Sequence, residues 1–131
     1  MIVVDTNSLA YLFIKGEYTE LAENLLNIDP EWISTPLWRS EFRSVLSLYI
    51  RKNELTSKDA TEIAQLAEEF MEGREFHVDS EKVFTLVSTS KCSSYDCEFV
   101  ALAQSLRLTL YTSDIKIVRE FPRSVKQLKN I

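Results

Sequence analysis

Apolar and polar positions follow two rhythms along this chain. Short β-branched or aromatic runs, such as Ile2 to Val4 and Trp32 to Ser34, break up longer stretches whose apolar residues recur every three to four positions. The first rhythm predicts buried strands and the second amphipathic helices. A strand at Ile2–Val4 leads into a helix over Thr6–Ile14, with Asp5 or Thr6 as cap and Gly16 beyond its end. A second helix over Thr19–Asn27 carries Leu21, Ala22, Leu25 and Leu26 on one face. After the strand at 32–34, Pro36 suits the first turn of a helix over Leu37–Lys52.

The second half repeats the alternation. Thr56-x-x-Asp59 resembles a capping box with Asp in place of Glu, opening a helix whose inner face is Ala60, Ile63, Ala64, Leu66, Ala67, Phe70 and Met71. Gly73 ends that helix. Glu75–Val78 reads as a short strand, and Asp79 as the cap of a helix built on Val83, Phe84, Leu86 and Val87. A helix over 94–106 is apolar on every side between Phe99 and Ala103, as expected of one pressed against a sheet. Leu108–Tyr111 reads as a strand, Ile115–Glu120 as a helix stopped by Pro122, and Ser124–Leu128 as an edge strand. Alternating strands and helices predict an α/β fold: a single three-layer domain over residues 1–131, with a central, mainly parallel sheet of four to five strands flanked by helices.

Composition narrows the class. Apolar residues at 45% and charged residues at 27% are ordinary for a soluble globular protein. Asp5 interrupts the opening run before a signal-peptide core develops, and no apolar stretch approaches the ~20 residues that span a bilayer. A cytoplasmic protein without a membrane segment is expected. Two cysteines, Cys92 and Cys97, do not make a disulfide framework and are expected to be reduced. With His77 the sole histidine, a zinc site has little support, and His77 reads as structural or solvent-facing.

The net charge of −5 argues against a general nucleic-acid coat, but the charge is uneven. Residues 54 to 81 hold nine acids and two bases, while residues 107 to 131 hold six bases and two acids. That basic segment either steers a polyanion or is a solvated tail. The acids Glu62, Glu68, Glu69 and Glu72 read as the solvated face of their helix.

Four other acids are placed differently. Asp5 and Asp114 each follow a predicted strand, where open α/β sheets place their ligands, although either could simply cap the next helix. Taking about 100° per residue from Leu37, Glu41 falls at about 40°, between Leu48 at about 20° and Val45 at about 80°, on the apolar arc of its helix. A carboxylate there calls for a partner, either arginine or a metal. Asp96 precedes Val100 and Ala103 by one and two turns on an inward face, whereas Glu98 is accounted for by the helix dipole. If Asp5, Glu41, Asp96 and Asp114 converge, each close pair repels by ~4 kcal/mol at an effective dielectric near 20, and a divalent cation relieves it. All-oxygen ligation selects Mg²⁺ or Mn²⁺. The matching chemistry is metal-assisted phosphodiester hydrolysis, which needs no side-chain nucleophile.

The ordered set Val3-Val4-Asp5-Thr6-Asn7, helical Glu41, Tyr95-Asp96-Cys97-Glu98-Phe99-Val100-Ala101-Leu102-Ala103 and Leu110-Tyr111-Thr112-Ser113-Asp114 resembles the successive motifs of PIN-domain ribonucleases, nearest the VapC-type toxins of toxin–antitoxin pairs. The resemblance covers essentially the whole chain. It implies Mg²⁺- or Mn²⁺-dependent endoribonuclease activity with Asp5, Glu41, Asp96 and Asp114 as metal ligands. It places Asn7 and Thr112 where ligands or phosphate are held, and implies a homodimer and a small antitoxin partner that blocks the site. Cys97 stands where the family has a small apolar residue. Ile115, Lys116 and Ile117 follow Asp114 where some members carry a further acid, which weakens the case for a second permanent metal. The rival readings are a receiver-type phosphoacceptor domain, a non-catalytic PIN-like interaction module, and an RNA-processing nuclease outside any toxin–antitoxin pair.

Overall fold

The computed structural model describes residues 1–129. Four strands, β1 (Ile2–Val4), β2 (Trp32–Ile33), β3 (Leu110–Thr112) and β4 (Val125–Gln127), form one sheet in the order β2-β1-β3-β4. Every pairing is parallel, with Val3 opposite both Ile33 and Leu110, and Thr112 opposite Gln127. All three side chains of β1 are buried. Successive side chains point to opposite faces, so both faces of the sheet are covered, which makes three layers.

The helices among the described residues are α1 (Thr6–Phe13), α2 (Thr19–Ile28), α3 (Leu37–Arg51), α4 (Ser57–Phe70), α5 (Ser80–Ser88), α6 (Ser94–Leu106) and α7 (Ile115–Glu120). None is long and apolar enough to cross a membrane. The caps follow the sequence. Asp5 is extended and accepts from the Ser8 N–H, Ser93 accepts from the Asp96 N–H, and Thr56 and Asp59 form the reciprocal capping box. Beyond α4 the chain turns at Gly73 with φ +75°, a left-handed conformation that costs glycine little. The long α6 packs on β1 and β3 through a nearly continuous buried run from Phe99 to Ala103. Trp38, Phe42 and Leu46 of α3, four residues apart, are buried, and each contributes about 1.5–3 kcal/mol by leaving water.

The expected strand at Glu75–Val78 does not form. A lone bridge joins Glu75 to Ser34, and Glu75 is committed elsewhere, to a paired bond with Arg39 and one from Trp38 Nε1. Leu66 and Phe84, expected inside, are 57% and 65% exposed. Their helices bury narrower stripes, Ala60, Ala67 and Met71 in and after α4, and Val83 and Leu86 in α5. Glu68, expected in solvent, reaches Arg39 at 3.5 Å. The receiver reading fails on topology, because residues 37–51 are helical and supply no strand ending in an acceptor aspartate near position 50.

Candidate active site

The site sits where the winding of the sheet reverses. From β1 the chain crosses by α1 and α2 to β2 on one side, and from β3 it crosses by α7 to β4 on the other. Neighbouring crossovers that diverge leave a crevice at the carboxyl ends of the two central strands. Asp5 directly follows β1 and Asp114 lies two residues beyond β3, so both stand at that crevice. Glu41 enters from α3 and Asp96 from the first turn of α6. All four acids line a single cleft of about 270 Å³, with Asn7 also on its wall and Phe99 and Ile117 among its apolar residues.

Asp5 is the most constrained of the four. It is 6% exposed. One carboxylate oxygen accepts from the Ser8 N–H at 3.1 Å and the Ser8 hydroxyl at 3.2 Å, and the other accepts from the Thr112 hydroxyl at 2.5 Å. Burial pushes its pKa above the usual value. The bonds from Thr112 and Ser8 act in the opposite direction, and the charge of Glu41 adds to the rise. Thr112 in turn accepts from the Asp114 N–H at 3.1 Å, so one hydroxyl links both strand-end acids. The expected supporting position of Thr112 is therefore a bonded one, while Asn7 is exposed on the cleft wall.

Glu41 is half-buried rather than enclosed, because the arc of α3 that includes it forms the wall of the cleft instead of the core. Its partner is neither arginine nor a second acid. The Thr6 hydroxyl donates to it at 2.6 Å. Asp96 makes its cap bond through its backbone N–H, which leaves the carboxylate to the cleft. Asp114 both caps α7, accepting from the Lys116 N–H at 2.9 Å, and faces the cleft, so the two readings of that residue coexist.

Among the described residues no three His, Cys, Asp or Glu side chains stand close enough to form a ready-made cation site. The donor set is entirely oxygen and suits a hard divalent ion.

Thr6 reads from the sequence only as a possible cap and Ser8 has no role there, although a hydroxyl next to a strand-end acid is the signal that would find both. Glu98 was assigned to the helix dipole. It is half-buried, and burial, followed by the charge of Glu41, pushes its pKa up. His77 is exposed, away from the cleft. Cys92 and Cys97 are free and buried, and burial pushes both thiols up, Cys92 to about 11, where a thiolate is scarce.

A family model described as the PIN domain matches residues 2–121. A curated relative, Ribonuclease VapC3 of Pyrobaculum aerophilum, is 27% identical over 127 residues, covering 95% of this chain and 97% of its own. Among solved structures, FitAcB of Neisseria gonorrhoeae superposes with TM-score 0.74 at 19% identity, covering 95% of this chain and 96% of that one. A toxin–antitoxin complex from Klebsiella pneumoniae gives TM-score 0.72 at 20% identity, with full coverage of both chains.

Proposed function

This chain belongs to the PIN-domain family, and from that premise we propose that it is a Mg²⁺- or Mn²⁺-dependent endoribonuclease that hydrolyses RNA phosphodiester bonds as the toxin of a toxin–antitoxin pair. The observation that carries the reading is the opening of Asp5, Glu41, Asp96 and Asp114 onto one cleft at the carboxyl edge of the sheet. These four would hold the cation. When bound, it would lower the pKa of a water for attack on phosphorus.

The division of labour among the side chains follows from their bonds. Asp5 is fixed by three hydrogen bonds and defines the floor. Thr112 sets the spacing of Asp5 from Asp114, and Thr6 holds Glu41 toward the same space. Asp96, with its carboxylate outside the cap, is the acid best placed to adjust to a cation. Asn7 on the cleft wall can donate an amide hydrogen bond to a phosphate oxygen.

The likeness to the Klebsiella pneumoniae complex supports a small antitoxin that blocks the cleft, and the VapC3 relative supports RNA as substrate. A homodimer, which the family resemblance implies, belongs to the same proposal, and light scattering on the purified chain tests it. The activity test is cleavage of end-labelled single-stranded RNA. Activity should need Mg²⁺ or Mn²⁺, disappear in EDTA, return with added metal, and be absent from Asp5→Asn. Cleavage that survives EDTA would remove the proposal.

A further inference from the structure

A groove continues from the acid cleft around α1. Asn7 and Val45 belong both to the wall of the cleft and to that of the next hollow, about 150 Å³, which also contains Tyr11, Tyr18 and Tyr49. Tyr11 and Tyr18 then form part of a third hollow, about 280 Å³, against Ser113 and Gln127. Three phenol rings thus lie along one path that starts at the acids.

Their roles in the fold differ. Tyr11 is partly structural, since its hydroxyl lies 2.9 Å from that of Ser113, next to Asp114. Tyr18 has no comparable duty. It is 47% exposed, precedes α2 without a side-chain cap bond, and stacks at a tilt on Tyr11 with ring centroids 5.0 Å apart. Tyr49 presents a half-buried ring from α3 on the opposite wall. Among the described residues, the lining of the two hollows includes one charged side chain, the acid Glu17, and no lysine or arginine. Such a path suits the flat, uncharged faces of bases and not a phosphate backbone. Hydroxyls and amides at its edges can both donate to and accept from base edges.

We infer that this tyrosine-lined groove binds the bases of single-stranded RNA next to the scissile phosphate, with Tyr18 and Tyr49 as stacking platforms. The inference rests on the nuclease reading for the position of the phosphate. It deepens that reading by assigning the side chains that hold the bases, since only an unpaired strand can lay its bases on the rings.

The test uses the full chain and a short fluorescein-labelled oligoadenylate. Binding is read by anisotropy in EDTA, and cleavage of unlabelled RNA is read with Mg²⁺. Tyr18→Ala and Tyr49→Ala should each weaken binding and raise KM by about tenfold, with the rate at saturating RNA near that of the parent. Tyr18→Phe, which keeps the ring, should match the parent. Alanine variants that bind and cut as the parent does would overturn the stacking groove while leaving the nuclease reading intact. So would variants unchanged toward RNA that lose the grip on a co-purifying protein, which would make the groove a protein-docking surface. If the parent binds oligoadenylate through these rings but never cuts RNA, the groove stands and the nuclease reading fails. If the parent shows no affinity for oligoadenylate, the groove fails.

Discussion

The hydroxyl of Thr112 donates to the buried carboxylate of Asp5 at 2.5 Å, across 107 positions of sequence. The same oxygen accepts from the backbone of Asp114 at 3.1 Å. One small side chain at the end of a central strand therefore sets the relation between the two sheet-borne acids. Thr112→Val keeps the shape and removes the hydroxyl, leaving a buried carboxylate oxygen and a backbone donor short of partners. The expected cost is about 1–3 kcal/mol by urea denaturation, together with slower RNA cleavage. An unchanged urea midpoint would show that the bond carries nothing.

Asp5 should make the metal-free protein less stable at neutral pH. Burial raises its folded-state pKa above the ordinary aspartate value of 3.8, so its protonated form is favoured by folding. This contribution is full below the unfolded pKa and is lost as pH rises through the folded pKa. In EDTA, Asp5→Asn should therefore melt at a higher temperature than the parent at pH 7, and the gap should close as pH falls toward 3.8. A variant that melts lower at pH 7 would contradict the account of the site.

Thr6→Val should loosen Glu41, whose carboxylate Thr6 holds at 2.6 Å in a half-buried position. A stability loss of about 1 kcal/mol is expected, with a larger fall in kcat than rise in KM, because the bond orients a cleft acid and does not touch RNA. Serine, which retains the hydroxyl, should restore the rate. Steady-state kinetics of the two variants separate orientation from packing.

Two core predictions are independent of catalysis. Phe42→Ala should cost about 3–5 kcal/mol, since Phe42 is 2% exposed inside the main cluster. Phe84→Ser, at a position 65% exposed, should change stability by no more than about 0.5 kcal/mol. Chemical denaturation decides both. A large cost at Phe84 would mean that its face is covered in solution.

Much of the fold was legible because its signals are local. Asp5, Thr56 and Asp114 announce helix starts by side-chain chemistry, and β1 announces a doubly covered strand by being wholly apolar. The gathering of these acids at one candidate cleft was legible for a similar reason: an acid straight after an apolar strand, or on the apolar arc of a helix, needs a reason to be there. The long-range bonds were not legible. Nothing near Thr6 in sequence points to Glu41, 35 residues away, and nothing near Glu75 points to the Arg39 guanidinium that its side chain meets. Glu98 reads locally as answered by the helix dipole, and local sequence does not disclose that it also feels the charge of Glu41 on another helix. Leu66 and Phe84 were placed inside because periodicity defines a face but not how wide a stripe the neighbouring elements cover.

The central claim is that the four acids act by holding a divalent cation over RNA, and Asp96 is the acid to test because its carboxylate has no part in the cap of its own helix. The direct measurement follows Mn²⁺ binding by paramagnetic resonance and RNA cleavage on the same samples of parent and Asp96→Asn. The account predicts that the parent binds Mn²⁺ and cuts, and that Asp96→Asn, folded by circular dichroism, loses both together. Equal cleavage by the two proteins would contradict it.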